Sequence, residues 1–329
     1  MIAASYSRFG SAADVLEIAQ RDIEPPAPGE VEVLVHYSGV NPSDVKKRAG
    51  LRGDFPADFV IPHSDGSGVI VAVGEGVSEE RIGQNVWLYE AQHNRHWGTA
   101  SELVNLPDSQ AVKLPSATDL VEGACLGIPA MTAHRCLTIA GDIEGLNVLV
   151  TGAMGRVGYH AVQVAVAMGA KVIATVGSED DVEAIAELGA ELVLNYHDEA
   201  FADKVIEHLG GPLLHRVVDV EFGVNLPQYL PAMADNSAIG CYASTKSPTP
   251  TLPFYDLMFK NISIHPIIIY SMPESAKKDA IDYITQMLEK EQFTHRVAKL
   301  FSLDGIVQAH EAVEQGERGC VLIELLSHD

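Results

Sequence analysis

The chain has 329 residues, 47% hydrophobic and 20% charged, with a formal net charge of −23 at pH 7. That length suggests about two domains around sizeable cores, and the negative field excludes nucleic acid and anionic membranes as partners. No apolar run reaches the roughly 18 residues of a membrane helix, and residues 1–6 lack the basic and apolar stretches of a secretory signal, so a cytoplasmic protein without membrane contact is expected.

Up to about Leu120 the sequence reads as short strands between Gly and Pro turns, with residues 31–37 (VEVLVHY) and 68–74 (GVIVAVG) the clearest. This density suggests a small barrel-like β domain. Cys125, Cys136, Cys241 and Cys320 form no C-x-x-C pair and read as core residues rather than disulfides or a zinc lobe. Beyond Leu120, strands alternate with helices. Residues 147–151 are a strand, 156–168 a helix and 171–176 a second strand. Residues 180–188 form a helix capped by Gly189, and further strands follow at 192–194, 216–220 and 238–242. The order implies a doubly wound parallel sheet in an α/β fold of Rossmann type. An amphipathic helix is expected at 275–291, and a last strand at 319–326 returns to the first domain. The domains are therefore 1–122 with 270–329, and 123–269.

Residues Gly152, Ala153, Met154, Gly155, Arg156, Val157 and Gly158 follow a strand directly and open a helix, the context a dinucleotide fingerprint requires. The first glycine makes the turn, Gly155 lets the backbone approach a pyrophosphate, and Gly158 allows close helix–sheet packing. The helix N-terminus offers N–H donors and the positive end of its dipole. NAD sites place an Asp or Glu at the tip of the second strand. Here the tip is Thr175, Val176, Gly177, Ser178, which points to NADP(H) over NAD(H). Glu179, Asp180 and Asp181 follow at once and oppose a 2′-phosphate. Arg156 favours one. The acids also suit the first turn of a helix.

Strand ends in such a sheet face the ligand crevice, which places Cys241 and Tyr242 beside the cofactor and Glu221 near a ribose or solvent. Asn41 offers an amide donor, or simply serves the turn before Pro42. Ser43 and Asp44 suit a helix cap.

The whole chain resembles the medium-chain dehydrogenase/reductase superfamily, most closely its quinone oxidoreductase (zeta-crystallin-like) branch. The residues that carry this are 39–44 (GVNPSD), 62–69 (PHSDGSGV), 127–133 (GIPAMTA) and the glycine turn. The resemblance implies a β-rich GroES-like substrate domain and a Rossmann domain. It implies Thr132 beside the nicotinamide, Tyr196 near the adenosine with Gly177 and Ser178, and a homodimer formed through a sheet edge at 261–270. Zinc-containing relatives have Cys, His and Cys at positions aligned with Asn41, Ser64 and Ile128, none of which offers a thiolate or imidazole, and His63 is a lone neighbour. No zinc is expected. Hydride transfer must then be supported by hydrogen-bond donors, with Asn41 first among them. A quinone suits that limit, because its reduced anion is delocalised. The alternatives are an enoyl or alkenal reductase, which needs an acid such as Tyr89, and a low-turnover nucleotide-binding regulatory protein.

Overall fold

A computed structural model describes residues 1–51, 58–211 and 213–326. The chain divides into two compact units, Met1–Ile128 with Tyr283–Asp329, and Pro129–Asp282. Both junctions fall inside helices, Gly127–Thr138 and Glu274–Glu289. The second junction helix carries the predicted apolar face, with Ala280, Ile284, Met287 and Leu288 buried.

The discontinuous unit is built on a mainly antiparallel sheet. Its strand order is Val297–Ser302, Cys320–Glu324, Glu30–Val40, Asp65–Val73, Asn85–Leu88 and Ala111–Lys113, with Leu103–Pro107 also pairing with Glu30–Val40. Along Glu30–Val40, Val31, Val33 and Val35 turn into an apolar core with Ile70, Val86, Leu88, Val104 and Leu106, while their neighbours are half-exposed. This is the period-2 pattern of a half-buried strand. The strand Cys320–Glu324 pairs with Glu30–Val40, so the chain's end does return to its first strands.

The Pro129–Asp282 unit holds a six-stranded parallel sheet. The spatial order is Leu192–Asn195, Lys171–Val176, Asn147–Val150, Leu214–Asp219, Met233–Cys241 and Ser263–Pro266. In order of sequence that is 3-2-1-4-5-6, with its switch point between the first and fourth strands, where doubly wound sheets bind ligands. Two predicted elements differ. Residues 180–188 form a 3-10 turn, Glu179–Asp181, followed by a short helix, Val182–Ala186. The expected edge strand at 261–270 is paired only over Ser263–Pro266, with one further bond from Ile267 N–H to the Cys241 carbonyl (2.7 Å), before the chain turns into the 3-10 helix Ile269–Ser271. It pairs with Met233–Cys241 alone, at the rim of the sheet. Among the described residues no helix is long and apolar enough to cross a membrane.

Candidate active site

The glycine turn begins where the strand Asn147–Val150 ends. Gly152 has φ +63°, and its N–H donates to Thr175 Oγ1 at 3.0 Å. Ala153 N–H donates to the Thr175 carbonyl at 2.8 Å, tying the turn to the second strand. Gly155 caps the twelve-residue helix Arg156–Ala167 without a side-chain bond, so the first-turn N–H groups of Arg156, Val157 and Gly158 have no carbonyl one turn earlier within the helix. A Cβ on Gly158 would overlap the Gly152 carbonyl oxygen and approach Ala153 Cα to 2.9 Å, so this position admits only glycine at the present helix–turn distance. Helix-N-terminal N–H groups, a dipole end and close-approach glycines fit a pyrophosphate.

The rim near the second strand is more specific than its sequence suggested. The hydroxyl end of the Tyr196 ring lies against Gly177, where a Cβ would be 3.0 Å from ring carbon Cε1, and Tyr196 is 38% exposed. Ser178 Oγ accepts from Asp180 N–H at 3.3 Å and so caps the 3-10 turn. The three acids separate by position. Glu179 and Asp180 are exposed, and Asn195 Nδ2 donates to Glu179 at 3.4 Å, while Asp181 is buried. Glu179 and Asp180 are therefore the acids of this run whose side chains reach solvent.

At the switch point the fourth strand ends in Asp219, fully buried. It accepts from Thr151 Oγ1 (2.9 Å), Glu221 N (3.0 Å), Asn225 Nδ2 (2.7 Å) and Tyr229 Oη (2.9 Å). Asp219 is thus the floor of this strand end, and only its place at a strand tip signalled it. Glu221 is half-buried. Its carboxylate accepts from Thr245 N (3.0 Å) and Lys246 N (2.9 Å), anchoring the loop after the fifth strand. That loop starts at Cys241, whose Sγ donates to the His265 carbonyl, and Tyr242, whose N–H donates to the Asp219 carbonyl at 3.1 Å. Burial raises the pKa of both side chains, keeping them protonated. Thr132 is buried in the helix Gly127–Thr138.

In the discontinuous unit, Asn41 ends the strand Glu30–Val40 and caps the helix Pro42–Arg48. Its N–H donates to Asp44 Oδ2 at 2.7 Å, while its side-chain Nδ2 donates to Asp65 Oδ2 at 2.6 Å. Asp65 also accepts from Ile128 N–H, at 3.0 and 2.9 Å to its two oxygens. The turn role and the amide therefore coexist at Asn41. Burial, then the nearby Asp44, push the Asp65 carboxyl well above the usual range, while the Ile128 and Asn41 donors oppose this.

His63 has φ +78°, a region non-glycine residues rarely occupy, and is fully buried. Its hydrogen-bond order fixes its tautomer. The Asp65 carbonyl only accepts, so Thr99 Oγ1 donates to it (2.6 Å) and must accept from Ser38 Oγ (2.7 Å). Ser38 then accepts from His63 Nδ1–H (2.8 Å), and His63 Nε2 accepts from His310 Nε2–H (2.9 Å). Burial lowers the His63 pKa to about 3 and that of His310 well below its ordinary value. The donor set here does not fit zinc. Asn41 and Ile128 direct N–H groups at Asp65, and both His63 nitrogens are occupied by Ser38 and His310. Tyr89 does not fit an acid for an enone, since its hydroxyl donates to the Ser109 carbonyl at 3.2 Å and the residue is buried.

Two family patterns match the chain: the alcohol dehydrogenase GroES-like domain over residues 27–116, and the zinc-binding dehydrogenase domain over 157–286. The chain is 30% identical over 320 residues to the quinone oxidoreductase of Rattus norvegicus, covering 95% of this chain and 94% of that protein. Among solved structures, an NAD-dependent alcohol dehydrogenase superposes with a TM-score of 0.91 at 26% identity, over 99% of this chain and 100% of that one. The Escherichia coli quinone oxidoreductase complexed with NADPH superposes with a TM-score of 0.85 at 21% identity, over 99% and 100%.

Proposed function

Since the chain belongs to the quinone oxidoreductase branch of the medium-chain dehydrogenase/reductase superfamily, we propose that it reduces a small quinone at the expense of NADPH, without a metal ion. The observation that carries this reading is the Gly152–Gly158 turn at the switch end of a 3-2-1-4-5-6 sheet, with Gly158 pressed on the Gly152 carbonyl. The Pro129–Asp282 unit is the nucleotide-binding domain, and the discontinuous unit is the substrate and catalytic domain. The N–H groups of residues 156–158 hold the pyrophosphate, with Arg156 adding charge. Tyr196 lies against the adenosine, and Thr132, Cys241 and Tyr242 border the nicotinamide. When bound, the dihydronicotinamide supplies a hydride.

Asn41 has one N–H engaged by Asp65. Its second N–H donates to the quinone oxygen as negative charge grows there. One such donor suffices for a hydroquinone anion, whose charge is delocalised, and solvent supplies the proton. A saturated ketone needs more electrophilic help, and an enone needs a general acid to protonate its α-carbon, which Tyr89 does not provide. Replacing Asn41 with Ala is expected to lower kcat with a small quinone about 30-fold, on the order of 2 kcal/mol, with the KM for NADPH little changed. Steady-state assays with a quinone and an enone side by side check both points, and faster turnover of the enone would reject the quinone reading.

NADP(H) is favoured over NAD(H) because the second-strand tip offers no acid before Glu179. The exposed Glu179 and Asp180 work against that preference. Glu179→Gln is therefore expected to raise the NADPH-over-NADH ratio of kcat/KM about fivefold, the scale of one screened surface charge of about 1 kcal/mol. An unchanged ratio would remove Glu179 from cofactor choice. The protein acts in the cytoplasm as a homodimer, the edge Ser263–Pro266 being covered by a second copy, with exposed Phe254, Tyr255 and Phe259 nearby in sequence. Sedimentation equilibrium should give two chains per particle.

A further inference from the structure

Resting on the reading of Asn41 just given, we infer that Asp65 is a positioning residue for the reaction, an acceptor in its ionised form that fixes the Asn41 amide with an N–H donor available to the substrate oxygen. An isolated asparagine amide flips between two nearly isosteric states that exchange donor and acceptor. Asp65 removes that freedom. Its carboxylate, fully buried, accepts from Asn41 Nδ2 at 2.6 Å, so the nitrogen must face Asp65.

The seat is built to hold the carboxylate in place. Ile128 N–H, in the first turn of the helix Gly127–Thr138, donates to both oxygens. A Cβ on Gly127 would overlap the Asp65 carboxylate, and one on Gly39 would come within 3.2 Å of Asp65 Cβ and 2.7 Å of the Ala124 carbonyl. At the other end, Thr99 Oγ1 clamps the Asp65 backbone carbonyl, backed by Ser38, His63 and His310. Asp65 is thus fixed at both ends, and it passes that rigidity to a side chain that otherwise has a two-fold ambiguity. The titratable groups that bear on it are Asp44 and Cys320.

The test uses the full-length enzyme with NADPH and a small quinone, each variant checked by circular dichroism. Asp65→Asn is expected to lower kcat 10- to 100-fold while the KM for NADPH stays within threefold, and to abolish an acid limb in the wild-type pH profile of kcat. The exchange variant Asn41→Asp/Asp65→Asn keeps a bond between the two positions with its polarity reversed. It should melt close to wild type yet stay as slow as Asn41→Ala, because residue 41 no longer carries an N–H. Full activity in Asp65→Asn or in the exchange variant overturns the inference, as does loss of fold in both, which would make Asp65 a structural anchor only. If Asn41→Ala itself keeps full activity, the reading of Asn41 fails first, and the two failures are told apart.

Discussion

Gly158→Ala is expected to weaken NADPH binding about 30- to 100-fold, roughly 2–3 kcal/mol. The added Cβ meets backbone, the Gly152 carbonyl oxygen and Ala153 Cα, rather than a flexible side-chain end. Relief requires the helix Arg156–Ala167 to move off the turn. Overpacking of this kind typically costs 1–3 kcal/mol, and it displaces the N–H groups a pyrophosphate would meet. Gly155→Ala provides the contrast. Its Cβ would lie 3.2 Å from the Gly152 carbonyl, a contact the fold can absorb, so it should melt closer to wild type than Gly158→Ala while still obstructing the phosphate. Calorimetric titration with NADPH, paired with thermal melts, checks both. Unchanged affinity in Gly158→Ala would mean the turn does not seat the cofactor.

Acid should unfold this protein well above the range where its carboxylates protonate. His63 is held at a pKa of about 3, and His134 and His295 at about 4, burial being the first cause in each. In the unfolded chain an imidazole takes a proton near pH 6.5. Between those values the unfolded state binds more protons, so stability is complete above about pH 6.5 and falls as pH drops toward 4. Each of the three loses about 2 kcal/mol between pH 6.5 and 5. Together that is about 6 kcal/mol, against a typical total of roughly 5–15. His310 adds to the loss in the same direction. Asp65, raised in the fold, acts oppositely, and one carboxyl does not offset three imidazoles. Urea melts at pH 7.5, 6.5, 5.5 and 5.0 should show a midpoint falling steadily below 6.5. A flat profile down to pH 5 would show that these histidines protonate without unfolding the chain.

The parts of this account legible in the sequence are those set by near neighbours. The glycine turn follows a strand and opens a helix within a dozen residues, whereas the cap expected at Gly189 falls at Glu187, because the helix Val182–Ala186 ends early, and Gly189 (φ +99°) sits in the turn beyond it. The residues that hold the site together were not legible, because their partners are far off in the chain. Ile128 lies 63 residues from Asp65, and His310 lies 247 from His63. Local pattern gave His63 no partner at all. The bonds of Glu221 were not legible either, because its partners, Thr245 and Lys246, belong to the loop after the next strand. Asp181 reads as one of three equal acids until the 3-10 turn buries it and leaves Glu179 and Asp180 exposed. The strand expected over 261–270 followed its apolar run, which continues into the 3-10 helix Ile269–Ser271 and so does not mark where the strand ends.

Metal-free reduction of a quinone by a nicotinamide nucleotide has a simple signature in solution. NADPH oxidation by a small quinone is followed at 340 nm, as the wavelength at which the reduced cofactor absorbs, before and after exhaustive dialysis against a strong chelator. Turnover that survives chelation unchanged, with no gain on adding zinc, is the result predicted. Absence of quinone reduction, or activity lost on chelation and restored by zinc, would contradict the account.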